Sequence, residues 1–388
     1  MRRSALLPFS SLSLVTLTVL LTGRLLAAEG LTDSQILIGQ CAAISGPAAG
    51  LGTGMQLGLK ACIEAVNTKG GVQGRTLKLI TVDDAYDPDK CVDGTLKLLE
   101  ESKVFCLAGY VGTPTGKAVV PLVTEKKTPL VGLFTGAMAF RTPVSHYIFN
   151  LRASYNDETE LLVERLVADL GAKRIAVLYQ NDAFGQSGLD GVNKALTKRQ
   201  MPLAAKGSFE RNTVAVKSGL ALVMAGNPEA VIMVGPYKPI ATFVKEARAA
   251  GLSVPLATIS FVGTESLITE LGDAATGLII SQVVPSPDDA SIAVVKEYQA
   301  ALKAVAADAK PTYVSLEGYL SGKVLVQGLD AAGKTPTREG LVEALEGLKQ
   351  VDLGGMSITF AKDNHQAQSQ VHLTKVAGGK AVAVTTLK

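Results

Sequence analysis

The sequence predicts an α/β fold built as two open, parallel-sheet lobes. Strand-like and helix-like segments alternate from Ser34 onward, the alternation starts afresh near Tyr147, and no low-complexity linker divides the halves. At 388 residues, with 47% hydrophobic and 19% charged residues and 39 glycines, the chain can bury two cores connected through many tight turns.

In the first half, Ile36–Ala42 reads as a buried strand. A helix follows, with Met55, Leu59, Cys62 and Val66 along one face, and Lys69-Gly70-Gly71 ends it. Strand Leu77–Val82, helix Cys91–Leu99, strand Val104–Gly109, a helix near Lys117–Lys126 and strand Leu130–Leu133 continue the βαβ pattern. The second half opens with strand Tyr147–Leu151 and an amphipathic helix, Asp157–Leu170, where Asp157 and Glu160 suit a capped start. Next come strand Ile175–Tyr179, helix Gly188–Arg199, strand Ala230–Val234, helix Ile240–Ala250 and strand Leu256–Ile259. The tail reads as helices Ile292–Ala306, Tyr313–Ala331 and Arg338–Leu348, then a hairpin.

Residues 1–28 have the layout of a secretory signal peptide. Arg2 and Arg3 precede an apolar stretch, Leu6–Leu26, and small residues Ala27 and Ala28 offer a cleavage point. The chain carries 38 basic and 35 acidic residues; Arg2, Arg3 and Arg24 lie in the leader, so the remainder balances at 35 each. That balance gives nucleic acid or an acidic membrane surface no electrostatic footprint. The expected product is exported and soluble.

Chemical motifs are sparse. Gly50-Leu51-Gly52-Thr53-Gly54 follows a strand but lacks G-x-G-x-x-G spacing, so the glycines serve tight turns and no cofactor is expected. There is no phosphate-binding P-loop, no nucleophile elbow and no H-E-x-x-H, and His146, His365 and His372 lie away from the predicted loops. Asp83-Asp84 with Asp87 and Asp89 reads as a solvated loop with helix-capping acids. Cys41, Cys62, Cys91 and Cys106 fit no zinc spacing; Cys91–Cys106 is the pair placed to bridge neighbouring elements, with buried free thiols as the alternative.

Open parallel sheets bind ligands beyond the carboxyl ends of their strands. The loops there are 43–54, 83–88, 110–116, 134–137, 180–185, 236–239 and 260–264. They carry Ser45, Tyr110, Thr113, Thr115, Thr135, Gly136, Ala137, Gln180, Phe184, Tyr237, Ser260 and Phe261. Tyr110-Val111-Gly112-Thr113-Pro114-Thr115 joins a strand to a helix, so its hydroxyls and helix-start N–H groups suit a carboxylate; N-capping by threonine is the other use.

Taken together, these segments resemble the type I periplasmic solute-binding proteins of ABC transporters, in the leucine/isoleucine/valine-binding group. The carriers are Ile36–Pro47, Asn67–Gly74, Val82–Pro88, Gly109–Thr115, Asn150–Tyr155, Leu178–Gly185 and Ser315–Tyr319. The resemblance implies two lobes joined by a three-strand hinge, with crossovers near Asn150–Ala153, Ile280–Val283 and Ser357–Ala361. It implies one lobe from residues 29–152 and 282–358 and the other from 153–281 and 359–388. It further implies a non-enzymatic monomer that captures a small molecule by hinge closure and delivers it to membrane permease subunits; a ligand-sensing subunit shares the fold. The ligand carboxylate falls to Thr113 and Thr135-Gly136-Ala137, aromatic cover to Phe184 and Tyr237, and further contacts to Tyr155 and Gln180. Amino-acid-binding members place an acid after the strand ending near Ile259, to meet the ligand ammonium. Ser260-Phe261 stand there instead, and Asp157 or Glu265 is left to substitute. A small carboxylate or amide with less need for that anchor is the resulting expectation.

Overall fold

The computed structural model describes residues 29–388, so the signal-peptide reading lies outside the described residues. Five strands form the first sheet: β1 (Gln35–Ala42), β2 (Thr76–Asp83), β3 (Cys106–Ala108), β4 (Leu130–Val131) and β5 (Ile148–Phe149). They run parallel in the order β2-β1-β3-β4-β5. The second sheet contains β6 (Ile175–Gln180), β7 (Ala205–Phe209), β8 (Ala230–Val234), β9 (Leu256–Thr258) and β10 (Ile279–Gln282). A short hairpin, β11 (Val351–Asp352) and β12 (Ser357–Ile358), precedes β13 (His372–Ala377) and β14 (Lys380–Ala383). These last two strands close the order β14-β13-β10-β9-β8-β6-β7, with β13 antiparallel to β10. β1, β6 and β8 are apolar runs buried on both faces, as parallel strands under two helix layers must be.

The helices of the first lobe are α1 (Ala49–Asn67), α2 (Pro88–Leu96) and α3 (Thr113–Glu125). The second lobe carries α4 (Tyr155–Leu170), α5 (Ala183–Lys198), α6 (Lys217–Ala225), α7 (Tyr237–Ala249) and α8 (Thr264–Leu271). After β10 the chain returns to the first lobe as α9 (Ala293–Val305), α10 (Tyr313–Ala331) and α11 (Arg338–Glu346). The face of α1 bearing Met55, Leu59 and Cys62 packs on α10. Gly58 makes this possible, since a Cβ there would lie 1.9 Å from the Ser315 carbonyl oxygen.

The structure shifts several expected boundaries toward the binding loops. The caps explain why. α4 begins at Tyr155, because Ser154 and Asp157 form a reciprocal capping box; Asp157 with Glu160 does not. α5 begins at Ala183 because the Asp182 carboxylate accepts from the backbone N–H groups of Phe184 and Gly185. β7 and α6 fill a stretch that the sequence pattern left unassigned. Strand 148–149 belongs to the first sheet, where Ile148 pairs with Leu130, and does not open the second.

The cysteine expectation needs correction. All four cysteines are buried and none is bonded to another in the structure, and Cys91 and Cys106 are not neighbours there. Cys106 pairs beside Ile38 on β1, whereas Cys91 faces Cys41. Three residues of extended strand, about 10 Å, separate those two positions along β1.

Candidate ligand-binding cleft

The two lobes meet at the carboxyl ends of their sheets, and a hydroxyl relay lies at that junction. Gly112, with φ 104°, turns the chain into α3 and caps it without a side chain, leaving helix-start N–H groups for other partners. The Thr113 hydroxyl sits 2.6 Å from that of Thr135, and Thr135 donates to the Tyr155 phenol oxygen at 3.2 Å. A hydroxyl has one hydrogen. Thr113 must therefore donate to Thr135, and the phenolic hydrogen of Tyr155 is left for a further acceptor. Burial pushes the Tyr155 phenol up to about 12, so it stays a donor at neutral pH. The loop after β4 is docked onto α4 by the Tyr155 N–H, which donates to the Gly136 carbonyl at 2.7 Å. Gly136 must lack a side chain, because a Cβ would lie 2.4 Å from the Tyr155 ring.

An aromatic box covers this relay. Phe261 stands 4.3 Å from Phe184, 5.2 Å from Phe134 and 6.1 Å from Tyr86, ring centre to ring centre, and Tyr155 is 5.5 Å from Phe184. Tyr86 and Phe134 come from the first lobe, the others from the second. All five are buried, and tilted pairs of this kind contribute about 0.5–1.5 kcal/mol each beyond area burial. Direct bonds close the seam around the box: the Gly50 N–H to the Tyr237 phenol oxygen at 3.2 Å, Gln180 to Tyr86 at 3.4 Å, and Asn212 to the Ala85 carbonyl at 3.2 Å.

The sequence pattern that defines periplasmic binding proteins matches residues 35–381. The chain belongs to that family. It is 25% identical to a Leu/Ile/Val-binding protein of Rhizobium johnstonii, over 96% of this chain and 100% of that one. A crystal structure of a possible leucine/isoleucine/valine-binding protein from Rhodopirellula baltica is 35% identical with a TM-score of 0.88, covering 91% of this chain and 97% of that one. A substrate-binding periplasmic protein from Ralstonia solanacearum is 29% identical with a TM-score of 0.85, over 90% and 99%. Periplasmic binding proteins bind solutes and are not enzymes. His365 is stacked at 4.0 Å on Phe149 and bonded to the Ile148 carbonyl, and His372 lies on β13.

At the hinge of this binding protein lies a buried charge cluster that sequence reading missed. Arg152 pairs with Glu317 at 3.0 Å, donates to the Ser260 hydroxyl at 2.6 Å and stacks 4.4 Å over Phe134. Glu158 accepts from the Ser260 N–H at 2.8 Å, the Ser260 hydroxyl at 3.0 Å and Ser281 at 2.6 Å. Burial pushes Glu317 up to about 7 against the pull of Arg152, and burial likewise raises Glu158. Burial opposes the Arg152 charge, but Glu317 and then Glu158 outweigh it and hold the guanidinium above its ordinary range. Arg141 buttresses the same corner through the carbonyls of Ala137, Thr135 and Arg152. Helical spacing of Ser154, Asp157 and Glu158 was the available signal, but nothing local showed that Glu158 turns inward toward β9 and β10.

The expected site residues separate accordingly. Thr113, Thr135, Gly136, Tyr155, Phe184 and Phe261 gather at the relay and box, and Ala137 donates its N–H to Thr135. Gln180 and Tyr237 lie on the seam. Ser260 serves Glu158 and Arg152. Three residues are committed elsewhere. The Tyr110 hydroxyl bonds to Thr95 inside the first lobe at 3.0 Å, and the Thr115 hydroxyl turns back onto the Val111 carbonyl at 2.5 Å. Ser45 donates its N–H to Asp83 at 3.1 Å. Of the two expected substitute acids, Asp157 accepts from Ser154 in the capping box, and Glu265 accepts from the Tyr313 N–H at 3.1 Å. A separate open groove of about 450 Å³, lined by Glu265, Asp288, Lys310, Tyr313 and Lys380, takes no residue from relay or box.

Proposed function

We propose that the protein is the extracytoplasmic solute-binding component of an ABC importer, closing its lobes on a small solute that carries a carboxylate. The carrying observation is the relay Thr113–Thr135–Tyr155 at the start of α3, which leaves a phenol O–H and helix-start N–H groups facing the lobe junction. On this reading residues 29–152 and 282–358 form one lobe and residues 153–281 and 359–388 the other. Its partners are permease subunits in the cytoplasmic membrane, and it works as a monomer in the periplasm. No helix among the described residues is long and apolar enough to cross a membrane, which suits that reading.

Within this class we favour an acid with an aromatic or apolar body and no ammonium. The carboxylates that reach the relay and hinge already have donors: Glu158 has two serines, Glu317 has Arg152, and the half-buried Asp182 caps α5. An ammonium would enter unpaired, which costs several kcal/mol by order of magnitude. The box instead offers apolar ring faces. Two measurements test this: mass spectrometry of ligand co-purified with the mature protein, and a thermal-shift panel of aromatic acids, aliphatic acids, their amides and amino acids. Stabilisation by acids lacking an amine is the expected outcome. Stabilisation by leucine, isoleucine or valine alone would overturn the ammonium argument. A ligand without a carboxylate or amide would overturn the relay's role.

A further inference from the structure

We propose that Cys41 and Cys91 are joined as a disulfide in the exported protein, stapling β1 to α2 beneath the Tyr86 loop. The two sulfurs and an Asp84 carboxylate oxygen lie within 4.8 Å of one another, and all three residues are fully buried. Gly94, about one turn after Cys91, lets α2 descend this far; a Cβ there would lie 2.7 Å from the Cys41 sulfur. Among the described residues no such cluster includes the other two cysteines: Cys62 lies against Gly322 on α10, and Cys106 lies on β3.

The pocket also has a structural task. Asp84 Oδ1 accepts from the Tyr86 N–H at 2.8 Å, and Oδ2 has no hydrogen-bond partner. Ala85 and Tyr86 both hold left-handed backbone, φ 49° and 61°, a conformation that non-glycine residues adopt only when their surroundings impose it. Tyr86 is a wall of the aromatic box. A covalent tie between the strand and the helix flanking this turn would hold the support from which Asp84 fixes it. A metal is the weaker occupant: a closed structural site needs four ligands, and the cluster offers three.

The step balances by exchange with a disulfide-bearing thiol oxidase of the export compartment. One cysteine thiolate attacks the oxidase disulfide, forming a mixed disulfide and expelling the oxidase's other sulfur as a thiolate. The second cysteine thiolate attacks the mixed disulfide on the protein's sulfur. The Cys41–Cys91 bond forms, and the oxidase departs as a dithiol carrying the two protons and two electrons. Both sulfurs are sealed in the folded protein, so exchange occurs before α2 docks.

The test uses the full chain with its leader, recovered from the export compartment, unfolded in acid and alkylated without reductant, then mapped by peptide mass spectrometry. The expected result is a Cys41–Cys91 cross-linked peptide, with Cys62 and Cys106 alkylated as internal controls. Reductant should then lower the thermal midpoint by about 5 °C, and the C41A/C91A variant should show no such dependence. Four alkylated cysteines, or any other pairing, overturns the proposal. Stoichiometric zinc or copper on the native protein, together with four alkylatable thiols, overturns it in favour of a metal site.

Discussion

At the scale of single residues, the cleft depends on where a few hydrogens go. Thr113, Thr135 and Tyr155 are ordinary residues, and only their mutual spacing makes Tyr155 the terminal donor. Tyr155→Phe keeps the ring against Phe184 and removes that hydrogen. The expected cost is about 1.5–3 kcal/mol of binding, a loss of roughly 10–100-fold in affinity for a carboxylate ligand by titration calorimetry. An unchanged affinity would remove Tyr155 from the site. Ser260 shows the opposite lesson. Its place in the sequence suggested a contact with ligand, yet its hydroxyl and N–H are consumed by Glu158 and Arg152. The residue that mattered there, Glu158, was illegible because helical position does not say which neighbour lies across the interface.

At the scale of elements, most strands and helices were legible from apolar runs and glycine stops, and the disagreements sit at helix starts. Capping chemistry governs those. The Ser154–Asp157 box satisfies two backbone donors at once and carries α4 back to Tyr155, which places that phenol at the junction. Ser154→Ala should destabilise the protein by about 1 kcal/mol in denaturant titration, because the Asp157 N–H loses its acceptor. It should also weaken ligand binding, since Tyr155 is the first residue of the helix that frays. β7 and α6 escaped notice for another reason: Ala205–Phe209 contains glycine and lysine and lies at a sheet edge, where the apolar signal is weakest.

At the scale of the whole molecule, the lobes are locked by bonds that no single element owns. Glu265 of α8 reaches the first turn of α10 in the other lobe, and burial pushes its carboxyl up to about 7 from an ordinary 4.5, with Asp288 adding repulsion against the pull of the Tyr313 N–H. A raised carboxyl pKa means the folded state holds a proton that the unfolded chain has released. This contribution is fully present below about 4.5 and is lost as pH rises through about 7. Stability should therefore fall across that window by about 1 kcal/mol, after allowing for the side chain's partial exposure. Glu265→Gln should flatten that part of the profile in thermal melts at stepped pH; an unaltered slope would show that Glu265 does not titrate there.

Alternation of apolar segments, glycine punctuation and the order of the loops were enough, by themselves, to determine the α/β class, the two sheets and the loops that face one another. Those features are local, written within a few residues of where they act. Tertiary structure alone decided which side chains in the loops remain for a ligand. Thr115 and Tyr110 were drawn back into the first lobe, Glu158 was drawn into the hinge, and Cys91 was set against Cys41 rather than Cys106. Glu158 and Cys91 depend on partners dozens of residues away, whereas Thr115 and Tyr110 turn to partners 4 and 15 residues back. In every case the competing bond is assigned only when the chain brings that partner within a few ångströms.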